Sequence, residues 1–437
     1  PPGTIHAYCN GFARVEEREE GDRRRPLFEP LINDIIAAMP ELATTTQYTN
    51  REVTRQAVYH TSAACQFDYA AWFDQIRLDE EIQGFFGVRT TDAQYTLPYI
   101  PMGFRPSCEA AEAITESIAH DPSAPVDVTV ATCVDNILFL GEPDDLKIAG
   151  GSFVHRSETV GAQLKDKKVN ITCQYDFLGE HYDHTANTRS LTEKTRLKCA
   201  YVNNVVGTRQ LTTRQIMAII GLLLYASNTL RIHLAQFHFA LRYYAGLDRV
   251  SPGYLNTKHR IPTPIVELFK HWSNLAAQNV PVPVWEEDVE PDYILYTDAS
   301  AHGWGVMSIN KTGGIMQFGQ RWTETDKVTW NLNSSVAAEP LAIRKAVAHM
   351  IPAWSKRVVI YTDHQPLVWA AEKTVGKAYA YSMALKFLED YGINGNTKFT
   401  LRFVEGIINP ADPLSRHFAP PPMLHVTHIG DKHWGPH

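Results

Sequence analysis

The chain has 437 residues, 44% hydrophobic and 20% charged, with a formal net charge of −7. That length and apolar content call for two to four packed subdomains and exclude a disordered or low-complexity protein. The acidic sum excludes capture of polyanions by bulk charge, so phosphate contacts have to come from local clusters: Arg23-Arg24-Arg25, Lys165 with Lys167 and Lys168, and Lys194-Thr195-Arg196-Leu197-Lys198.

In chain order, residues 31–39 have a helical pattern. Residues 64–88 read as strand, helix and an aromatic-rich segment. Ser107 is the expected N-cap of an Ala/Glu-rich helix over 108–120. The apolar, β-branched runs 126–132 and 137–140 flank a polar pair, which predicts a hairpin. Residues 210–248 read as helical. The Val/Pro alternation at 280–284, followed by acidic residues, is the expected linker. Beyond it strands and helices alternate to about residue 405, an α/β pattern. The Pro- and His-rich stretch from Phe418 reads as a mobile tail.

Six cysteines without a Cys-x-x-Cys pair argue against a zinc site and fit a reducing, cytoplasmic or nuclear compartment. The longest apolar run, 216–226, is too short to cross a bilayer, so no membrane partner is expected. The opening Pro1-Pro2, without methionine, suggests a trimmed chain or a segment of a longer polyprotein.

Two acidic constellations carry the chemistry. Asp68 ends a predicted strand, and Asp135 sits in the turn Cys133-Val134-Asp135-Asn136 between two others. Two carboxylates from separate strands can hold two Mg²⁺ ions, or Mn²⁺, for nucleotidyl transfer. Downstream, Asp298 and Asp363 each end a strand after Thr, Glu339 lies near a helix start, and Asp412 lies in Asn409-Pro410-Ala411-Asp412-Pro413-Leu414-Ser415-Arg416. These four can converge on a second pair of divalent ions for phosphodiester hydrolysis. Pro340 predicts a kink or a late helix start around Glu339.

The order of these segments resembles retroelement reverse transcriptases with a C-terminal ribonuclease H domain. The motifs beyond the acids are Ile100-Pro101-Met102-Gly103-Phe104-Arg105-Pro106-Ser107, Val160-Gly161-Ala162-Gln163-Leu164 running on to Lys168, and Phe177-Leu178-Gly179-Glu180.

The resemblance implies an α+β right-hand polymerase, with fingers and palm over 1–204 and a helical thumb or connection over 205–278. A linker over 279–292, an α/β ribonuclease H-like domain over 293–417 and a tail over 418–437 would follow. It implies Asp68, Asp135 and the Tyr69 carbonyl as polymerase metal ligands, and Arg24 or Arg25 with Lys168 at the triphosphate. Met102 and Gly103 would line the nucleotide pocket, and Phe73 would block a ribose 2′-hydroxyl. The implied partners are an RNA template, a DNA primer, dNTPs and the RNA–DNA hybrid, within a retroelement ribonucleoprotein. Short features, including Cys-Val-Asp-Asn, lean toward the DIRS-like or VIPER elements.

Two departures stand out. Asn136 replaces a second aspartate and removes one charge from the metal site. The histidine that many such ribonuclease H domains carry before the last acid is missing, and Glu405 stands near its place. Two other readings stay open: an active ribonuclease H with a vestigial polymerase, and a domesticated non-catalytic scaffold that binds nucleic acid.

Overall fold

The computed structural model describes residues 4–16, 23–39, 49–121, 127–352 and 355–417. The expected tail over 418–437 lies outside them. The chain divides into two compact units, residues 1–192 with 281–286, and 193–280 with 287–437.

The first unit opens with an antiparallel ribbon of β1 (Cys9–Glu16) and β2 (Arg23–Pro30), then α1 (Ile32–Ala38) and α2 (Arg51–His60). Its centre is the antiparallel sheet formed by β3 (Ala63–Asp68), β4 (Val128–Cys133), β5 (Asn136–Gly141) and β6 (Ile171–Thr172), in the order β4-β5-β3-β6. Helices α3 (Ser107–Ala119) and α4 (Pro143–Thr159) are amphipathic and cover one face. Phe67, Phe139 and Phe153 meet there in a buried aromatic cluster. Ser107 does not cap α3: it is the first helical residue, and its hydroxyl donates instead to the Pro101 carbonyl at 2.8 Å.

A second small sheet holds β7 (Gln174–Phe177), β8 (Glu180–Asp183), β9 (Thr188–Leu191) and β10 (Val282–Pro283). The stretch expected to be a free linker therefore contains a strand. The Arg189 guanidinium donates to the Pro283 carbonyl at 3.1 Å, and Val284 is fully buried. Arg55 of α2 and Glu180 of β8, each about 1% exposed, form a buried two-point ion pair at 2.6 and 3.3 Å. The Tyr182 hydroxyl completes it by donating to Glu180 at 2.5 Å. Glu180→Ala removes the buried partner of Arg55 and leaves its guanidinium to the largely exposed Glu52, so it is expected to cost about 3 kcal/mol, the low end for a broken buried pair. Urea denaturation checks this, and a loss below about 1 kcal/mol would make the pair a minor contributor.

The helical region expected over 205–278 begins earlier. Its helices are α5 (Glu193–Gly207), α6 (Thr213–Leu230), α7 (His238–Ala245) and α8 (Thr263–Gln278). The single helical stretch read over 210–248 is broken after α6, where Arg231 takes a left-handed conformation at φ 55°.

The second unit continues with a five-stranded mixed sheet. Its strands are β11 (Tyr293–Ala299), β12 (Gly303–Asn310), β13 (Ile315–Arg321), β14 (Arg357–Thr362) and β15 (Lys398–Phe403), in the order β13-β12-β11-β14-β15. β11 pairs antiparallel with β12 and parallel with β14, which in turn is parallel to β15. Strand alternation sends Leu295 and Tyr296 into separate clusters on the two faces. Leu295 joins the larger core with α9 (Ser335–Met350), α10 (Gln365–Glu372) and α11 (Tyr379–Gly395). Tyr296 joins Tyr361, Ala411 and Leu414, the last belonging to α12 (Asp412–His417).

The class read from the sequence, an α+β unit followed by an α/β one, is the class observed.

Candidate active sites

In the first unit the β3–β5 register places Asp68 directly across from Asn136. Asp135, one residue earlier, therefore lies in the turn beside Asp68, and its carbonyl accepts the Tyr69 N–H at 3.0 Å. Lys165 bridges the two acids, with Nζ 3.1 Å from Asp68 and 4.0 Å from Asp135. One cationic nitrogen thus reaches both carboxylates, which is the fit a shared cation requires. Asn136 turns its amide onto Asp135 Oδ1 at 3.1 Å and spends one of that carboxylate's oxygens. Among the described residues the first unit holds no cluster of three acidic, histidine or cysteine ligands.

The turn itself is strained. Val134 has φ 59°, a conformation a β-branched residue seldom adopts. Glu112, only 4% exposed on α3, explains how it is held. Its carboxylate accepts the Val134 N–H and, at 2.7 Å, the Thr132 hydroxyl, while Thr115 donates to the Val134 carbonyl. The sequence reading missed Glu112. The available signal was an acid placed on the helical stripe of Ala111, Thr115, Ile118 and Ala119 that faces the core.

Lys165 was also missed, because the run 165–168 offers three lysines with no way to rank them from spacing. Lys167 pairs with Glu158 at 2.7 Å. Lys168 lines a groove of about 290 Å³ together with Asp68, Asn136, Lys165 and Leu178. Tyr69 is fully buried, its ring stacked on Trp72 at 3.9 Å and its hydroxyl 3.4 Å from Ser157 Oγ, so its side chain is taken up by the core.

A second pocket of about 200 Å³ brings Phe73 and Met102 together with Phe28 and Ile100. Gly103 is required by the close approach of β2: a Cβ there would collide with the Phe28 carbonyl. Asn33 clamps the same loop, donating to the Gly103 carbonyl at 2.7 Å and accepting the Arg105 N–H at 3.0 Å. Arg24 and Arg25 lie in β2, but their side chains fall outside the described residues.

The second site forms at strand ends. β11 and β14 run parallel with Tyr296 opposite Tyr361, and two further places bring Asp298 level with Asp363. Glu339 reaches them from α9, accepting the Ala299 N–H at 3.2 Å and the Thr362 hydroxyl at 3.5 Å. α9 starts at Ser335, capped by Ser334, so Pro340 lies inside the helix and neither delays nor ends it. Oxygens of Asp298, Glu339 and Asp363 all lie within 4.8 Å of one another.

Burial raises all three acids, Asp298 to about 6, Glu339 well above the usual range and Asp363 in the same direction; repulsion from neighbouring carboxylates adds to it, for Asp363 from Asp412. Asp298 Oδ2 is buried without a hydrogen-bond partner. An orphaned buried carboxylate oxygen in a like-charged trio fits a divalent cation.

Asp412 stands beside this trio rather than in it. Its Oδ1 accepts Arg416 Nε at 3.0 Å and Nη2 at 2.8 Å. α12 comes this close because residue 305 is glycine: a Cβ would lie 2.6 Å from both Leu414 Cβ and Ser415 N. The loop that lacks the expected histidine crosses Asp363, with the Cβ position of Gly406 3.0 Å from Asp363 Oδ2 and Glu405 exposed. His364, next to Asp363, lies 2.8 Å from the Tyr381 hydroxyl through Nε2.

Residues 288–391 match the family described as the RNase H-like domain found in reverse transcriptase. No curated protein matches the chain. Among solved structures, the foamy viral protease-reverse transcriptase in complex with dsDNA is 16% identical, with a TM-score of 0.48, covering 93% of this chain and 79% of that one. The same viral protein in complex with an RNA/DNA hybrid is 15% identical, with a TM-score of 0.47, covering 97% of this chain and 54% of that one.

Proposed function

From a C-terminal RNase H-like domain of the type found in reverse transcriptase, we propose that this chain is an RNA-directed DNA polymerase that also degrades the RNA of the resulting RNA–DNA hybrid. It would act inside the cell, in the cytoplasm or nucleus, within a retroelement ribonucleoprotein. The observation that carries the reading is the buried trio Asp298, Glu339 and Asp363, with its unpartnered oxygen. Its geometry suits hydrolysis of a phosphodiester and has no evident structural use. When bound, two divalent cations at each site, Mg²⁺ or Mn²⁺, supply Lewis acidity and nucleophile activation.

The chain's own residues do the rest. Asp68 and Asp135 would hold the cations at the primer end, with Glu112 fixing the turn that presents Asp135. Lys165 is the resident counter-charge of that site. Phe73, lining the pocket with Met102, would close it against a ribose 2′-hydroxyl, so that dNTPs are the substrates. In the second site Asp298, Glu339 and Asp363 would hold the cations, with Asp412 at the edge of the trio.

One observation favours a second reading, a ribonuclease H carrying a vestigial polymerase: Asn136 both lacks a charge and occupies Asp135. Extension of a labelled primer on an RNA template separates the two. The parent is expected to extend the primer, and Asn136→Asp to extend it about tenfold faster in Mg²⁺ by restoring one ligand charge. No product from either protein would leave the polymerase site vestigial.

A further inference from the structure

Resting on the ribonuclease H reading, we propose that Arg416 is a positioning residue that holds Asp412 away from the carboxylate trio until a phosphodiester of the hybrid takes over its guanidinium. Nε and Nη2 of Arg416 both converge on Asp412 Oδ1. Asp412 is thereby committed to an internal cation one helical turn away, while the other three acids gather without it. Arg416 Nη1 makes no hydrogen bond among the described residues, and the side chain is 57% exposed, so the fork stays open to solvent on one side.

Arg416 also acts on the trio. Its charge is felt by both Asp298 and Asp363, in each case opposing the burial that raises them. A site built from four acids repels a phosphodiester, and the crossing loop offers Glu405 and Gly406 rather than a cation. A guanidinium presents two parallel N–H donors that match carboxylate and phosphate oxygens equally well. Exchange of one anion for the other on Arg416 would therefore release Asp412 toward the trio when substrate arrives. Hybrid and divalent cation would then each tighten the binding of the other.

Mn²⁺ binding, followed by electron paramagnetic resonance on the full chain, tests this without any turnover. Asp68→Asn with Asp135→Asn silences the first site in every sample. Arg416→Met is expected to tighten Mn²⁺ binding about fivefold without hybrid, the scale of an exposed charge pair, and Arg416→Lys to give a smaller gain. Adding Asp412→Asn should cancel the gain. A hybrid whose RNA strand is 2′-O-methylated should tighten Mn²⁺ binding in the parent but not in Arg416→Met. Equal affinity in parent and Arg416→Met, or a gain that survives Asp412→Asn, overturns the proposal. Asp298→Asn reports on the underlying reading separately: if it leaves Mn²⁺ binding intact, the trio is not the metal site at all.

Discussion

Asp298→Asn is expected to lower the rate of RNA–DNA hybrid cleavage by at least about 10³-fold, roughly 4 kcal/mol of transition-state stabilisation, while primer extension continues. The substitution is nearly isosteric, and it replaces a carboxyl that burial already pushes up to about 6 with a neutral amide. The folded domain should therefore tolerate it, and lost cleavage would report chemistry rather than unfolding.

The same residue sets a pH signature. Because the folded state holds the Asp298 proton to about pH 6 while an unfolded aspartate releases it near 4, the cation-free domain binds more protons folded than unfolded across that window. Its contribution to stability is therefore greatest at the acid side and falls as pH rises through 6. Glu339 and Asp363 shift in the same direction. Thermal melts of parent and Asp298→Asn at pH 5 and 7.5 should show the parent losing ground relative to the variant at the higher pH. Mg²⁺ should restore it, since the ligands bind cations deprotonated. A parent that gains on the variant with rising pH in the absence of Mg²⁺ would contradict this electrostatic account.

Asp68→Asn carries the second large effect. Primer extension should fall by about 10³-fold or more, with hybrid cleavage preserved. The margin at this site is thinner than at the trio. Among the described residues, Asp68 and Asp135 are the two acids that pair with Lys165, and Asn136 already engages Asp135. Losing either acid leaves one carboxylate against one lysine, a pair that neutralises itself and has little left for a cation. Extension assays with Asp68→Asn, alongside cleavage measured on a preformed hybrid, separate the two activities. Extension that persists at the parent rate would remove Asp68 from the chemistry.

What could be read from the sequence follows from what periodicity and strand ends encode. Asp298 and Asp363 were legible because each closes a β-branched or aromatic run, and parallel register then aligned them. The Asp68–Asp135 approach was legible for the same reason, through a hairpin with a two-residue turn. Glu339 was legible as a residue, but its helix was not: a proline reads as a boundary, whereas Pro340 sits within α9.

The side chains that serve those acids were harder to see. Glu112 and Lys165 act through tertiary contacts separated by 22 and 97 positions, and a chain pattern does not rank such partners. Arg416 was in plain view within the last motif, one helical turn after Asp412, while the approach of α12 to the strand rests on the glycine at 305. Val280 to Val284 read as a linker because Pro and Val alternate there. The same alternation also suits an edge strand, and the Arg189 guanidinium supplies the donor that its carbonyls need.

Anomalous diffraction from crystals of the full chain grown with Mn²⁺ and an RNA–DNA hybrid tests the account at its root. Density at Asp298, Glu339 and Asp363, with a further peak between Asp68 and Asp135, is the predicted result. Mn²⁺ seen elsewhere, with the trio protonated and bare, would contradict it.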